Sequence, residues 1–331
     1  MLENSTLYQL RGKKNLLAFS GGVDSSALFF LLLNENIEFD IAIVDYKQRE
    51  QSELEVSYAK GLASRYNLFC HTLEAPSIES NFEAKAREIR YDFFESLIRK
   101  HSYDNLITAH HLGDRFEWML MQFCRGAGCA EMAGMQKLQK RDTYTLVRPL
   151  LHLDKSELYA YLKKSDIKYF EDETNRDKEI KRNYFRHRHT NVLLDKYLSG
   201  IKKSFEYLDA DREALVPEIK IEHIKELTYF KSTNNTRSDI FIIDKILKTK
   251  SYMLSFAERE LLREQSSLVV GREFLVCRMG EFVFVSPYLD AKTPMTKEFK
   301  EECRVIKIAP KMRPYLYKNR DTFAKVKELL L

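Results

Sequence analysis

The sequence predicts an α/β fold, a parallel sheet covered by helices, followed by a smaller α+β domain. Three observations carry this. Short apolar segments alternate with amphipathic stretches over the first ~150 residues, the pattern of a sheet buried on both faces. A charged segment from Asp172 to His189 interrupts that order. Beyond it the alternation does not resume, and Ser267 to Pro287 has the β-branched and aromatic content of paired strands.

The strands expected in the first domain are Leu16 to Phe19, Ile41 to Asp45, Phe69 to Leu73 and Leu106 to Ala109. Between them, Ser25 to Leu33, Gln51 to Tyr66 and Phe82 to Arg99 have helical character; in the second of these Leu54, Tyr58 and Leu62 recur at helical spacing. Val192 to Leu208 reads as a helix that ends the domain, placing the boundary between residues 205 and 220, with domains of 1–210 and 211–331. The second domain is expected to be helical as far as Leu262, then to form strands joined by a turn at Arg278-Met279-Gly280-Glu281. In a parallel sheet, ligands sit at the carboxyl ends of the strands, which directs attention to the residues after Phe19, Asp45, Leu73 and Ala109.

Composition narrows the function. The 331 residues include 44% apolar and 31% charged side chains, the balance of a globular protein. The longest apolar run, Ala27 to Leu33, is far short of the ~20 residues that span a bilayer. The N-terminus has no basic-then-apolar secretory pattern, so a cytoplasmic location and no membrane partner are expected. None of the five cysteines, Cys70, Cys124, Cys129, Cys277 and Cys303, forms a Cys-x-x-Cys pair, which argues against a zinc ribbon or an iron-sulfur framework. The net charge of +5 is concentrated late in the chain: from Pro217 onward there are 22 Lys and Arg against 16 Asp and Glu, or +6, leaving −1 for the rest. Such a surface suits a polyanionic partner, and a solvated basic face would look the same.

The first expected strand runs straight into Ser20-Gly21-Gly22-Val23-Asp24-Ser25-Ser26 and then into an apolar helix. Glycines here permit positive φ and close approach of backbone to ligand, and the helix N-terminus favours phosphate oxygens. The loop has neither the Lys of a Walker A motif nor the Gly-x-Gly-x-x-Gly of a dinucleotide fold. A plain Gly-Ser turn capping a buried helix, with Asp24 as a first-turn acid, is the bland alternative. The segment resembles the PP-loop of N-type ATP pyrophosphatases, which have a Rossmann-like sheet. That resemblance implies that Ser20 to Ser26 bind ATP and grip the departing pyrophosphate, that AMP passes to an oxygen of the substrate, and that Asp24 lies beside Mg²⁺.

The fourth expected strand is followed by His110-His111-Leu112-Gly113-Asp114-Arg115-Phe116-Glu117. Asp114 and Glu117 are spaced i, i+3, so on a helix starting near Gly113 two carboxylates share one face and can hold an ammonium group or a metal ion. Exposed first-turn acids would show the same spacing. On a strand the adjacent His110 and His111 would face opposite ways, which makes one of them structural and excludes a compact zinc site.

Ala-His-His-x-x-Asp-x-x-Glu in this position resembles the tRNA(Ile)-lysidine synthetase family. Further matches follow in order: Arg125-Gly126-Ala127-Gly128, Ala133-Gly134-Met135, Arg148-Pro149-Leu150-Leu151, Glu171-Asp172-Glu173-Thr174-Asn175 and Arg182-Asn183 with Arg186; upstream, Ala86-Arg87-Glu88-Ile89-Arg90-Tyr91 also fits. The resemblance covers roughly residues 15–190. It implies that ATP adenylates the C2 oxygen of the wobble cytidine of tRNA(Ile) with a CAU anticodon, and that the ε-amine of free L-lysine then displaces AMP to form lysidine. Carried over by position, Asp114 and Glu117 orient the lysine amine, Arg90 stabilises charge on the α-phosphate, His110 lines the nucleotide pocket, and Arg182 and Arg186 contact either the lysine carboxylate or the tRNA. ATP and Mg²⁺ are the implied cofactors, and a homodimer is left open. The chain departs from the family pattern at Gly113, where an acid is common, and at Arg115, Phe116 and Trp118, which leaves the lysine pocket in question.

By the same analogy residues 211–331 bind tRNA. From Lys297 onward there are 10 Lys and Arg against 5 Asp and Glu, interleaved with Phe299, Tyr315, Tyr317 and Phe323. Such aromatics stack on bases or, at helical spacing, fill a core. Two other functions compete: a PP-loop tRNA thiolase, which usually needs paired reactive cysteines, and a non-catalytic RNA-binding protein with a vestigial loop.

Overall fold

The computed structural model describes residues 1–47, 50–78, 80, 82–171, 181–215, 219–290 and 294–331, with residues 50, 51, 181 and 182 described by backbone alone. The expected segment 172–175 therefore lies outside the described residues, as does the side chain of Arg182. The chain divides into two compact units, Met1–Asp211 and Arg212–Leu331.

Unit 1 contains α1 (Asn4–Leu10), β1 (Asn15–Ala18), α2 (Val23–Asn34), β2 (Asp40–Asp45), α3 (Glu50–Tyr66), β3 (Cys70–Glu74), α4 (Phe82–His101), β4 (Asn105–Ile107), α5 (Leu112–Phe123), α6 (Cys129–Met132), β5 (Leu138–Lys140), β6 (Thr145–Val147), α7 (Lys155–Lys164), α8 (Lys181–Phe185) and α9 (Asn191–Leu215). Its six strands are ordered β3-β2-β1-β4-β6-β5, all parallel except β5. The expected doubly covered, Rossmann-like sheet is borne out. One core packs α2 and α3 against Leu17, Ile41 and Ile43; a second packs Phe94, Leu97 and Ile98 of α4 against Leu16, Ala42 and Leu106. Alternate residues of one strand thus serve opposite faces.

The sequence order passes from β3 at the edge across the sheet to β4, beside β1, so β1 and β4 form the switch point at which the crossovers diverge. Buried amides fix this pair. Asn15 donates to the carbonyls of Leu10 and Glu38 at 2.9 and 2.8 Å, Asn105 donates to Asn15 Oδ1 at 2.8 Å, and Gln9 donates to Asn105 Oδ1 at 2.8 Å. The register is Leu16 with Leu106 and Leu17 with Ile107.

Unit 2 contains β7 (Glu222–Ile224), β8 (Leu227–Lys231), α10 (Thr236–Thr249), α11 (Phe256–Glu264), β9 (Ser267–Val270), β10 (Phe274–Met279), β11 (Phe282–Pro287), α12 (Lys297–Val305), α13 (Arg313–Lys318) and α14 (Arg320–Leu330). Its antiparallel sheet is ordered β7-β8-β11-β10-β9, with α10 and α11 packed on one face and α12 to α14 on the other. The expectation of helix as far as Leu262 is corrected by β7 and β8, whose Leu227, Thr228, Tyr229 and Phe230 are all buried between the two cores. A run buried on both faces lacks the period-2 alternation that marks a strand. The β10–β11 hairpin turns at Gly280-Glu281, with Met279 paired to Phe282 and Gly280 at φ +57°. Phe299, Tyr315 and Phe323 are buried and belong to this unit's core, so they do not form a stacking platform.

Burial pushes the Cys277 thiol up to about 12, whereas Cys124 is exposed. At pH 8 a disulfide reagent is expected to modify Cys124 in the native protein and to reach Cys277 only after unfolding, because the thiolate is the nucleophile. Equal rates at the two positions would contradict this packing.

Candidate active site

The loop between β1 and α2 is shaped by its own side chains. Gly21 has φ +74°, and a Cβ there would lie 3.2 Å from the Phe170 ring. Phe170 also pins the loop from outside, its N–H donating to the Gly21 carbonyl at 2.9 Å. Gly22, by contrast, is extended at φ −74°, and a Cβ would meet only ordinary contacts. The expected positive φ is therefore used at Gly21 alone. Ser25 Oγ donates to the Gly22 carbonyl at 3.2 Å and accepts from the Ser20 N–H at 3.2 Å; Ser26, fully buried, donates to the Gly21 carbonyl at 3.1 Å. These hydroxyls hold the loop closed over the first turn of α2, whose leading N–H groups have no intrahelical acceptors.

Beside the loop lies a cavity of about 250 Å³. Its polar wall is formed by Ser20, Gly22, Asp24, Arg87, Arg90 and His110, and Val44, Tyr91 and Phe94 contribute to the apolar part. Arg87, Arg90, Tyr91 and Phe94 are successive positions of one face of α4, and the Arg87 guanidinium lies 4.8 Å from the Tyr91 ring centroid. Burial raises the pKa of the Tyr46 hydroxyl, and Arg90 beside it offsets part of that rise. His110 bonds through Nδ1 to Thr108 Oγ1 at 2.9 Å.

The second constellation starts α5 one residue earlier than expected. His111 is not on a strand, because β4 ends at Ile107; it is the N-cap of α5. Its backbone N–H donates to Asp114 Oδ2 at 3.1 Å, and its Nδ1 accepts the Gly113 N–H at 3.0 Å. The Leu112 N–H donates to the Leu153 carbonyl at 2.9 Å, fixing the start of the helix to the segment after β6. Asp114 and Glu117 share a face, as their spacing predicts. Both are bound by Arg186: Nε is 2.9 Å from Glu117 Oε2, and a terminal nitrogen is 3.4 Å from Asp114 Oδ1. Glu117 is almost fully buried, a setting in which a carboxylate requires a cationic partner. Arg186 begins a π-helical turn, Arg186–Thr190, between α8 and α9. Such turns are frequent at functional sites.

His111 stands between the two constellations. Its Nε2 is 3.9 Å from Asp24 Oδ2 and 3.6 Å from Asp114 Oδ2. Asp24 Oδ1 is buried with no hydrogen-bond partner among the described residues, an orphaned acceptor that suits a cation brought by a ligand. Among the described residues no group of three His, Cys, Asp or Glu could hold a metal ion.

Of the departures, Arg115 and Phe116 turn away from these groups. Arg115 donates to the Ala133 carbonyl at 3.0 and 2.8 Å, pairs with Asp209 and lies 4.4 Å from the Phe205 ring centroid. Phe116 packs edge-on against Phe205, and a Cβ at Gly134 would strike Trp118 at 2.8 Å. They join α5 to α9 and to the loop at Ala133-Gly134. Sequence reasoning assigned Arg90 but not Arg87, three residues earlier on the same face. It also missed Phe170 and Asp209, which no local pattern marks.

Residues 3–193 match the PP-loop domain family. The chain is 44% identical over 312 residues to the tRNA(Ile)-lysidine synthase of Helicobacter pylori, covering 94% of this chain and 91% of that protein. It is 43% identical over 320 residues to the corresponding synthase of Campylobacter jejuni, covering 96% and 97%. Among solved structures, a U34-tRNA thiolase from Methanococcus maripaludis superposes with a TM-score of 0.52 at 16% identity, over 66% of this chain and 80% of that one, a likeness of fold.

Arg115→Met is expected to destabilise unit 1 by about 1–3 kcal/mol, because the Ala133 carbonyl and Asp209 lose their donor. Chemical denaturation measures this, and an unchanged midpoint would show that the Arg115 contacts are dispensable.

Proposed function

The chain belongs to the tRNA(Ile)-lysidine synthases, and from that membership we propose a two-step ligation carried out where the loop at Ser20 to Ser26 meets the Asp114–Glu117 pair. In the first step the C2 oxygen of the wobble cytidine of CAU-anticodon tRNA(Ile) attacks the α-phosphorus of ATP, and the α–β phosphate bridge breaks to release pyrophosphate. In the second the ε-nitrogen of free L-lysine attacks C2, the C2–O bond breaks, and AMP leaves. The amine gives up its proton to a carboxylate, and the product is lysidine.

The single observation that carries this reading is the adjacency of a phosphate-type loop and a buried acid pair. Ser20, Gly22, Asp24 and Ser25 at the start of α2 line the same cavity as Arg87 and Arg90, an electropositive setting for a polyphosphate. Arg90 takes the α-phosphate charge in this reading, His110 lines the nucleotide pocket, and Mg²⁺, held by Asp24 together with phosphate oxygens, supplies charge neutralisation. On the other side, the carboxylates of Asp114 and Glu117 stand together on one face of α5 against Arg186, a pair of acids that suits an ammonium group. Such a site binds a protonated amine and accepts its proton before attack. Arg186 is engaged by the acids in this state, which favours a role in orienting them over either contact the sequence left open. All of these residues come from one chain, so the reading does not depend on a homodimer. Among the described residues no helix is long and apolar enough to cross a membrane. The proposed reaction belongs where its tRNA substrate is, in the cytoplasm. Unit 2, with Lys297, Lys300, Arg304, Lys307, Lys318 and Lys325 exposed, supplies phosphate contacts to the tRNA.

Incubating CAU-anticodon tRNA(Ile) with enzyme, ATP, Mg²⁺ and lysine is expected to add one lysine, less one water, to the wobble cytidine, as read by mass spectrometry of nuclease fragments. An unmodified cytidine would overturn the reading. Asp114→Asn is expected to slow lysine transfer about 10- to 100-fold, the loss of one hydrogen bond to a charged group. Adenylate formation should change far less; equal loss of both steps would assign Asp114 to the ATP half.

A further inference from the structure

His111 occupies a position that neither half of the site accounts for. The cavity is lined by Asp24 and His110 but not by Asp114 or Glu117, and the acid pair is bound to Arg186. What lies between them is the His111 ring, only 7% exposed. Because Nδ1 accepts the Gly113 N–H, the ring proton resides on Nε2, the atom 3.9 Å from Asp24 and 3.6 Å from Asp114. Both distances exceed a hydrogen bond and are of the kind that shorten when a reaction complex assembles. The ring lies directly over Gly113. A Cβ at residue 113 would fall 2.7 Å from His111 Cε1 and 3.0 Å from Nδ1, closer than real Cβ contacts allow. Gly113 is not at a positive φ, so what a side chain there would disturb is the His111 ring as it stands in this chain, not the backbone.

We propose that His111 is a positioning residue that sets the separation between Asp24 and Asp114, and that Gly113 is glycine in this chain to admit its ring. The proposal rests on the lysine-ligation reading above. Lysine transfer requires the amine, held by Asp114, to meet a base whose activating phosphate is placed on the Asp24 side. Misplacement of reacting groups by about 1 Å costs up to ~100-fold in rate. The α5 cap and the arrangement of the two acids are separate functions of the same side chain, one through Nδ1 and one through Nε2, and substitution can separate them.

The test compares His111→Asn, His111→Gln, Gly113→Ala and His111→Asn combined with Gly113→Ala. Asn retains an acceptor for the Gly113 N–H but has nothing at the position of Nε2; Gln places an amide donor near that position and gives up the short-range cap. Single-turnover lysine transfer from preformed adenylate is expected to fall about 10- to 100-fold in the Asn variant, with Gln retaining a larger share of the rate. Gly113→Ala is expected to reproduce the Asn defect, and the double variant to be no worse than either single one, because both remove the same ring from the same place. Thermal unfolding of each variant, measured alongside, reports the cap. If Asn transfers lysine as fast as the native enzyme while Gln does not, His111 is a helix cap only and the proposal fails. Full additivity of the two defects would also overturn it. If the native enzyme forms no lysidine, the ligation reading has failed instead, and the two failures are told apart by that control.

Discussion

The parallel pairing of β1 with β4 is the constraint on which the rest of the site depends. Each strand is only three or four residues long, yet both are fully buried over Leu16, Leu17, Leu106 and Ile107, and the pair is keyed at its start by Asn15 and Asn105. A parallel register slip of one residue would turn these side chains to the opposite face and break the amide bonds, so the pairing has one good solution. The carboxyl ends of these strands deliver the Ser20–Ser26 loop and the His110–Glu117 segment to the same crevice. Sequence separation between them is about ninety residues, but in space they meet at His111, Asp24 and Asp114.

The charges around that meeting point divide into two kinds. On the cavity side Arg87, Arg90 and the start of α2 favour anions. On the α5 side the paired carboxylates of Asp114 and Glu117 favour a cation, as their bonds to Arg186 show. An enzyme in which an amine nucleophile displaces an anionic leaving group needs both fields close together without mutual cancellation. The His111 ring, held at Nδ1 by the Gly113 N–H, stands between the two carboxylates of Asp24 and Asp114 where these fields meet. Burial of Glu117 and Asp114 makes their shared guanidinium more than a surface ion pair, since removal of Arg186 would leave two carboxylates desolvated.

Much of this was legible in the sequence. The strand–loop–helix at Leu16 to Leu33 and the i, i+3 acids at 114 and 117 are local patterns, and the structure brings them together as the rule for parallel sheets requires. Arg186 was marked by resemblance, but its bond to both acids was not, because no periodicity links residue 186 to 114. β5 and β6 stand outside the strand–helix alternation that marks the other strands, because a short turn and not a helix joins them. β8 was taken for helix because it is buried on both faces and lacks alternation. Phe170 anchors Gly21 across almost 150 residues, a contact that leaves no local trace. The departures at Arg115, Phe116 and Trp118 looked like changes to the substrate pocket. Arg115 and Phe116 are packing residues on the other sides of α5, where their contacts to Ala133 and Phe205 place them.

The central claim is that one crevice holds two chemically separate steps, with pyrophosphate leaving before the amine attacks. Isotope exchange between pyrophosphate and ATP tests it most directly, measured with CAU-anticodon tRNA(Ile) present and lysine omitted. The account predicts exchange that requires the tRNA and proceeds without lysine, since the adenylated base forms and reverts within the cavity half. Exchange that appears only when lysine is added would contradict it, because the amine would then take part before the adenylate exists.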